Sequence, residues 1–169
     1  KKVTDYQEGK VLLDDGSAIE SQTLIWVSGV TATHFEQIGK EMTGRGGRIL
    51  VNEFNQLPES QNIFAIGDVC LQTEPDFPNG HPQVAQVAIQ QGNLLADNLI
   101  NIENGLPLKP FHYKDLGTLA TVGRNKAVAD IKNIKFQGFF AWLIWLFIHL
   151  RSILGIKNKL VILIEWIWS

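Results

Sequence analysis

The chain has 169 residues, a formal net charge of −2 and 45% hydrophobic residues, which fits one globular domain and excludes disordered, collagenous and disulfide-rich classes. A single cysteine, Cys70, excludes an internal disulfide framework and a Cys-x-x-Cys redox pair, so it reads as a small packing residue. The charge is unevenly spread: residues 1–130 hold ten Lys/Arg against sixteen Asp/Glu, and residues 131–169 hold five against one, together with four of the five Trp.

Residues 3–13 and 17–28 are predicted as strands around the turn Asp14-Asp15-Gly16. The second ends in the apolar Thr23-Leu24-Ile25-Trp26-Val27 and a turn at Ser28-Gly29-Val30, which sequence alone reads as a core strand and a tight turn. Residues 31–60 carry loop signals around one further strand, Arg48 to Val51. Gly44-Arg45-Gly46-Gly47 precedes that strand and not a helix, so it reads as a turn and not a phosphate loop. The run Ile63–Ile66 predicts a buried strand ending at Gly67-Asp68. That places a carboxylate at a strand's C-terminal edge, where ligands of open α/β sheets bind.

Three prolines and a glycine make 71–82 a loop. A helix is predicted from about Gln83 to Asn101, with apolar residues at 84, 87, 88, 94, 95, 99 and 100. Gln86 and Gln90 lie one turn apart on one face, near a terminus that presents free N–H groups and positive potential. A solvated face is the plain alternative for two glutamines. A loop at 103–110 comes next, then one or two strands over 111–121 broken near Leu116-Gly117, and Lys126–Asp130 completes the region.

After Gly138 the sequence is FFAWLIWLFIHL. As a helix it spans roughly 20 Å, short of the roughly 30 Å hydrocarbon core. Arg151, Lys157, Lys159 and Glu165 interrupt the remainder of the apolar tail. Two interfacial helices, about 138–154 and 158–168, are predicted, with Trp142, Trp145, Trp166 and Trp168 at headgroup depth and cations on lipid phosphates. A buried core hairpin is the alternative. Basic residues set among bulky aliphatics, without a base-reading motif, exclude nucleic acid. His34, His81, His112 and His149 lack metal-ligand spacing, so no metal site is expected.

Taken in order, IFAIGDVC, HPQVAQVAIQQG, FHYKDLGTLATVGRNKAVAD and the Trp-rich tail resemble the C-terminal part of type II NADH dehydrogenases. These are single-subunit, flavin-dependent NADH:quinone oxidoreductases bound to one face of a membrane. The resemblance implies an α/β fold: the C-terminal portion of a flavoprotein with two dinucleotide-binding (Rossmann-like) domains, followed by amphipathic membrane-associating helices. It implies that residues 1–30 end the NADH-binding domain. Residues 31–130 form the C-terminal half of the FAD-binding domain with the quinone-site helix, and 131–169 anchor the protein.

By the same resemblance FAD is the cofactor, held at Gly67, Asp68, Ala85, Gln86, Val87 and Ala88. Gln86 and Gln90 face quinone, and Gly29 and Val30 lie near the nicotinamide. The implied partners are NADH, quinone, an anionic membrane surface on the cytoplasmic face of a bacterial cell membrane, and a second copy through the C-terminal region. The flavin carries the difficult step, so no catalytic side-chain constellation is required, and the resemblance implies that no proton is pumped. Many bacterial members carry Lys before the glycine of the Phe-x-Tyr-x-x-x-Gly stretch, where this chain has Leu116.

Two Gly-x-Gly-x-x-Gly turns would be needed to seat two pyrophosphates, and the sequence has none. The expectation is therefore the C-terminal part of a longer enzyme, inactive by itself. The competing readings are a soluble flavin-dependent NAD(P)H reductase with another acceptor and a non-catalytic anchoring or dimerisation module. The lone cysteine weakens a disulfide reductase or a sulfide:quinone oxidoreductase.

Overall fold

The computed structural model describes residues 1–27, 29–132, 134–153 and 155–168, and only the backbone of Ile167. The N-terminal part is an antiparallel meander of β1 (Val3–Gln7), β2 (Lys10–Leu13) and β3 (Ala18–Glu20). The expected single strand over 3–13 is split. Glu8 (φ 49°) and Gly9 (φ 75°) turn the chain with left-handed backbone, matching the twist of the flanking strands. At the second turn Lys1 pairs with Asp15 at 2.7 Å. That ion pair, helped by the Ser17 hydroxyl and N–H, holds the Asp15 carboxyl down at about 2.

Thr23–Val27, predicted as a strand, forms none. A strand needs a neighbour for its N–H and C=O groups, and no described residue supplies one. Trp26 and Val27 stand 62% and 87% exposed. Ser28, at the end of that prediction, lies outside the described residues.

In the middle, β4 (Ile49–Leu50) and β5 (Cys70–Leu71) form the parallel pair. Ile49, Leu57, Ala65 and Cys70 make the core, with Ile38, Met42, Val51 and Val69 packed against it. Cys70 is a buried packing residue, as its isolation in the sequence suggests, and burial pushes its thiol up. The predicted strand Ile63–Ile66 is not one. It is zipped to the loop beside it: Leu57 N–H donates to the Ile63 carbonyl and Ala65 N–H to the Asn55 carbonyl, both at 3.0 Å. Gly67 (φ 70°) then turns the chain into a single 3-10 turn, Gly67–Val69.

Helix α1 (Ala85–Glu103) comes next, two residues later at each end than its apolar pattern predicts. Its buried residues are Val87, Gln91 and Asn98, while Leu99 and Ile100 are exposed. Phe111–Gly117, expected in strands, has no regular structure. The chain then makes β6 (Thr118–Gly123), β7 (Lys126–Ile131) and β8 (Ile134–Gly138), an antiparallel sheet with β7 central. Gly117 (φ 97°) leads into it and must be glycine, because a Cβ there would collide with the Asp130 carbonyl oxygen.

Helix α2 (Phe139–Ser152) lies on one face of this sheet. Ala127, Ala129 and Ala141 are small enough to bring helix and sheet together, and Leu119, Trp142 and Trp145 fill the flanks. Helix α3 (Ile156–Trp168) meets α2 through Trp145 and Trp166, whose rings are 4.8 Å apart. Trp142 and Trp145 therefore also serve as packing residues. The exposed apolar surface is built from Phe139, Phe140, Leu143, Phe147 and Ile148 on α2, and from Ile156, Leu160, Val161, Ile164 and Trp168 on α3. Leu154, at the end of the first predicted tail helix, lies outside the described residues. No helix among the described residues is long and apolar enough to cross a membrane.

Candidate functional site

The Gly67-Asp68 turn and the start of α1 are built against each other. Gly67 N–H donates to the Gln91 side-chain oxygen at 2.7 Å. Gln91 is fully buried, and its amide also meets the Cys70 thiol at 3.4–3.5 Å. A Cβ on Gly67 would stand 3.2 Å from the Ala88 Cβ, so glycine permits both the left-handed turn and the close approach of α1. Gln83 Nε2 donates to the Asp68 carbonyl at 3.0 Å. Asp68 is exposed and its carboxylate makes no hydrogen bond among the described residues.

Val84 precedes the first helical residue and offers no capping acceptor. The N–H groups of Ala85 and Gln86 make no hydrogen bond among the described residues, whereas those of Val87 and Ala88 both reach the Val84 carbonyl. Two free donors at the positive end of a 19-residue helix are suited to an electron-rich ligand edge. The structure thus brings Gly67, Asp68, Ala85, Gln86 and Ala88 together. The Val87 side chain is different: it is buried and contributes packing.

Gln86 and Gln90 do not hang free. Gln86 Nε2 donates to the Gly117 carbonyl and its Oε1 accepts the Leu116 N–H, both at 3.1 Å. Gln90 does the same for the N–H and carbonyl of Lys114, at 3.0 and 2.9 Å. The pattern continues down the helix, where Asn98 pairs with both backbone groups of Lys109 at 2.8 and 2.9 Å. Asn101 adds a bond to the Pro107 carbonyl. One face of α1 therefore replaces a β-strand, using carboxamides to hold the chain from 107 to 117. Sequence reasoning missed this role. Its signal is the occurrence of Gln or Asn at 86, 90, 98 and 101, all near one helical face. Each glutamine keeps a second N–H and a second oxygen lone pair for a ligand.

Gly29 and Val30 line a cleft of about 330 Å³ together with Gly80, His81, Pro82 and Gln83, the segment just before α1. His81 is 1% exposed and its Nε2 lies 2.7 Å from Glu74 Oε1. Phe77, Phe111 and Tyr113 surround its ring at centroid distances of 5.2–5.7 Å. Burial holds the imidazole below its usual range despite the carboxylate beside it. The buried Nδ1 has no partner among the described residues, which fits a neutral ring donating through Nε2. Burial pushes Glu74 up, but the Tyr113 N–H and His81 outweigh it and keep the carboxyl below its ordinary value. Among the described residues no group of His, Cys, Asp and Glu is arranged to hold a metal ion.

A free helix N-terminus is a ready site for an electron-rich group. Residues 1–92 match the pyridine nucleotide-disulphide oxidoreductase family, and the chain belongs to it. Residues 116–169 match the NDH2 C-terminal domain. Within the family the chain is similar to type II NADH:quinone oxidoreductases. One from Mycobacterium tuberculosis is 35% identical over 97% of this chain and 36% of its own length. The mitochondrial internal alternative NAD(P)H-ubiquinone oxidoreductase A1 of Arabidopsis thaliana is 33% identical over 98% of this chain and 36% of its own. The chain thus spans about a third of the length of these curated relatives.

The fold is shared with the solved NDH2 of Plasmodium falciparum in complex with NADH (TM-score 0.74, 17% identity, 98% of this chain and 49% of that one). A sulfide:quinone oxidoreductase of Aquifex aeolicus has a related fold (TM-score 0.63, 17% identity, 84% of this chain and 37% of that one).

Proposed function

We propose that this chain supplies the acceptor side of a non-proton-pumping NADH:quinone oxidoreductase in which FAD passes electrons from NADH to quinone. The observation that carries the reading is the uncapped start of α1, with two N–H groups free among the described residues on a helix that packs through Ala88 against Gly67. In this reading the N–H groups of Ala85 and Gln86 face the pyrimidine edge of the flavin. Val87 and Ala88 seat the turn, and Asp68 accepts from ribityl hydroxyls. When bound, the flavin supplies the hydride and electron chemistry. Gly29 and Val30, on the cleft before α1, lie on the nicotinamide side.

Gln86 and Gln90 hold the 114–117 strip and offer their remaining N–H groups to a quinone carbonyl, without burying a charge. Residues 1–30 end the nucleotide domain, 31–130 complete the flavin domain, and 131–169 rest on an anionic membrane surface. That surface is the cytoplasmic face of the cell membrane in a bacterium, and the same tail offers the contact for a second copy.

The test uses the chain fused to the upstream region of a curated relative, so that flavin can be loaded. Stopped-flow then separates flavin reduction by NADH from flavin oxidation by quinone. Gln86→Leu is expected to slow the second step about 3- to 10-fold, the effect of one neutral hydrogen bond. The first step should be unchanged. Slowing of the NADH step alone would put Gln86 on the wrong face of the ring.

A further inference from the structure

The chain from 107 to 117 is not held evenly. Up to residue 113 it is anchored in the core. Phe111 is 3% exposed, its N–H donates to the Glu53 carbonyl at 2.7 Å, and its carbonyl accepts from Gln72 Nε2 at 3.2 Å. The Tyr113 N–H donates to Glu74 Oε1 at 3.1 Å, and the Tyr113 ring lies 5.3 Å from Phe77 and 5.7 Å from His81. From Thr118 onward the chain is fixed again, as a strand paired with β7.

Between these ends Lys114, Asp115 and Leu116 are exposed. None of their N–H groups or carbonyls bonds to another backbone group among the described residues. Two glutamines hold them instead, Gln90 on Lys114 and Gln86 on Leu116 and Gly117. Within the segment Asp115 Oδ1 accepts the Gly117 N–H at 2.8 Å. Exposed hydrogen bonds with few apolar contacts around them mark the parts of a fold that open first. Gly117 (φ 97°) supplies a glycine hinge at one end. A recess of about 630 Å³, lined by Asp115, Gly117, Thr118, Asp130 and Lys132, gives the segment room to swing.

We propose that residues 114–117 are an autoinhibitory strap, which opens between Tyr113 and Thr118 to give a quinone full use of Gln86 and Gln90. This rests on the electron-transfer reading above. The closed strap presents two carbonyls, of Gly117 to Gln86 Nε2 and of Lys114 to Gln90 Nε2. A quinone presents the same chemical group twice, so strap and quinone compete for the same amides. The remaining N–H groups of the glutamines make the first contact, and opening frees the ones the strap holds. Both carboxamides can then turn towards the ligand while α1 stays in place. Opening swings the 116–117 peptide and gives up the Asp115 bond as well. The apparent affinity for quinone is therefore scaled by the fraction of molecules with the strap open.

The test uses the flavin-loaded fusion described above, without NADH, and follows amide hydrogen exchange with and without a soluble benzoquinone. Without quinone, Lys114 and Leu116 should exchange at least about tenfold faster than Lys109, Phe111 and Tyr113. Quinone should speed Lys114 and Leu116 further, whereas a ligand resting on a closed strap would slow them. Asp115→Ala should lower the quinone concentration that half-saturates flavin oxidation about 3- to 10-fold, because the closed form loses a hydrogen bond. The rate at saturation should not change. Asp115→Asn keeps an acceptor for the Gly117 N–H and should restore the original half-saturation, which separates the turn from the charge. The strap is overturned if quinone slows exchange at Lys114 and Leu116 or leaves it unchanged. It is equally overturned if Asp115→Ala leaves half-saturation unaltered while quinone is still reduced. An enzyme that takes up flavin and never reduces quinone overturns the electron-transfer reading itself, and the strap with it.

Discussion

At the scale of single residues, the buried His81–Glu74 pair sets an acid limit on stability. The folded imidazole is held below its ordinary value of about 6.5. Below that pH the unfolded chain takes up a proton that the folded chain refuses, so stability falls as pH drops. Glu74, also held low, acts in the same direction further down. The thermal midpoint should be flat above about pH 7 and fall below it. In His81→Phe, which fits the surrounding aromatic cage, the fall should begin only in the carboxylate range. An unchanged profile in that variant would show that His81 is not the titrating group. A second expectation concerns Gly67: an alanine there meets both a left-handed φ and the Ala88 methyl. The cost should be about 1–3 kcal/mol, read by thermal unfolding. The sequence reads Gly67 and Asp68 as the end of a buried strand, and the structure places them in a 3-10 turn against α1. The sequence could not show the turn's true support, Gln91, because a buried amide looks like a surface residue until its partner is known.

At the scale of elements, α1 was legible from its apolar spacing, and its buried face only in part. Of the apolar positions Val87 is buried and Ala88, Leu94 and Leu95 are half-buried, but Val84, Leu99 and Ile100 are exposed, and the structure buries Gln91 and Asn98 as well. Apolar periodicity finds faces that pack on side chains. This face packs on backbone, which asks for donors and acceptors. The strip from 107 to 117 obeys the same logic. From sequence 103–110 reads as a loop and 111–117 as strand material, and in the structure the partners of the strip's N–H and C=O groups are carboxamides. The short runs Thr23–Val27 and Ile63–Ile66 failed as strands for a related reason: strand formation depends on a neighbour that local sequence does not encode. Asn98→Ala should remove two hydrogen bonds and destabilise the chain by about 1–3 kcal/mol in urea unfolding. Gln90→Ala, at the more exposed end, should cost less than about 1 kcal/mol. Amide hydrogen exchange should accelerate at Lys109 in the first variant and at Lys114 in the second. A reversed order would mean that the pairs are not the main support of the strip.

At the scale of the whole molecule, the tail divides its aromatic residues between two tasks. Trp142 and Trp145 close the seam with the sheet, while the phenylalanines and aliphatics of α2 and α3 form the outer surface. Removing residues 153–168 together with Phe140→Ser and Phe147→Ser, which spares the seam, should abolish flotation with anionic vesicles. Each buried CH₂ contributes about 0.8 kcal/mol and each cation near the surface about 1 kcal/mol. High salt alone should therefore leave the unaltered chain on vesicles, and detergent should release it. Release by salt would show that attachment is electrostatic.

The backbone between the two regions also works as a ruler. Leu116 is tied to α1 through Gln86, and Leu119, three residues on, lies under α2. Three residues of chain reach at most about 11 Å. Whatever surface receives α2 is thereby held within a short, fixed reach of the first turn of α1. In the proposed reading, a lipophilic acceptor that stops beside α2 has only that span left to cover. Lengthening the link between Leu116 and Leu119 by a few residues would then alter the reach without touching a single side chain at either end.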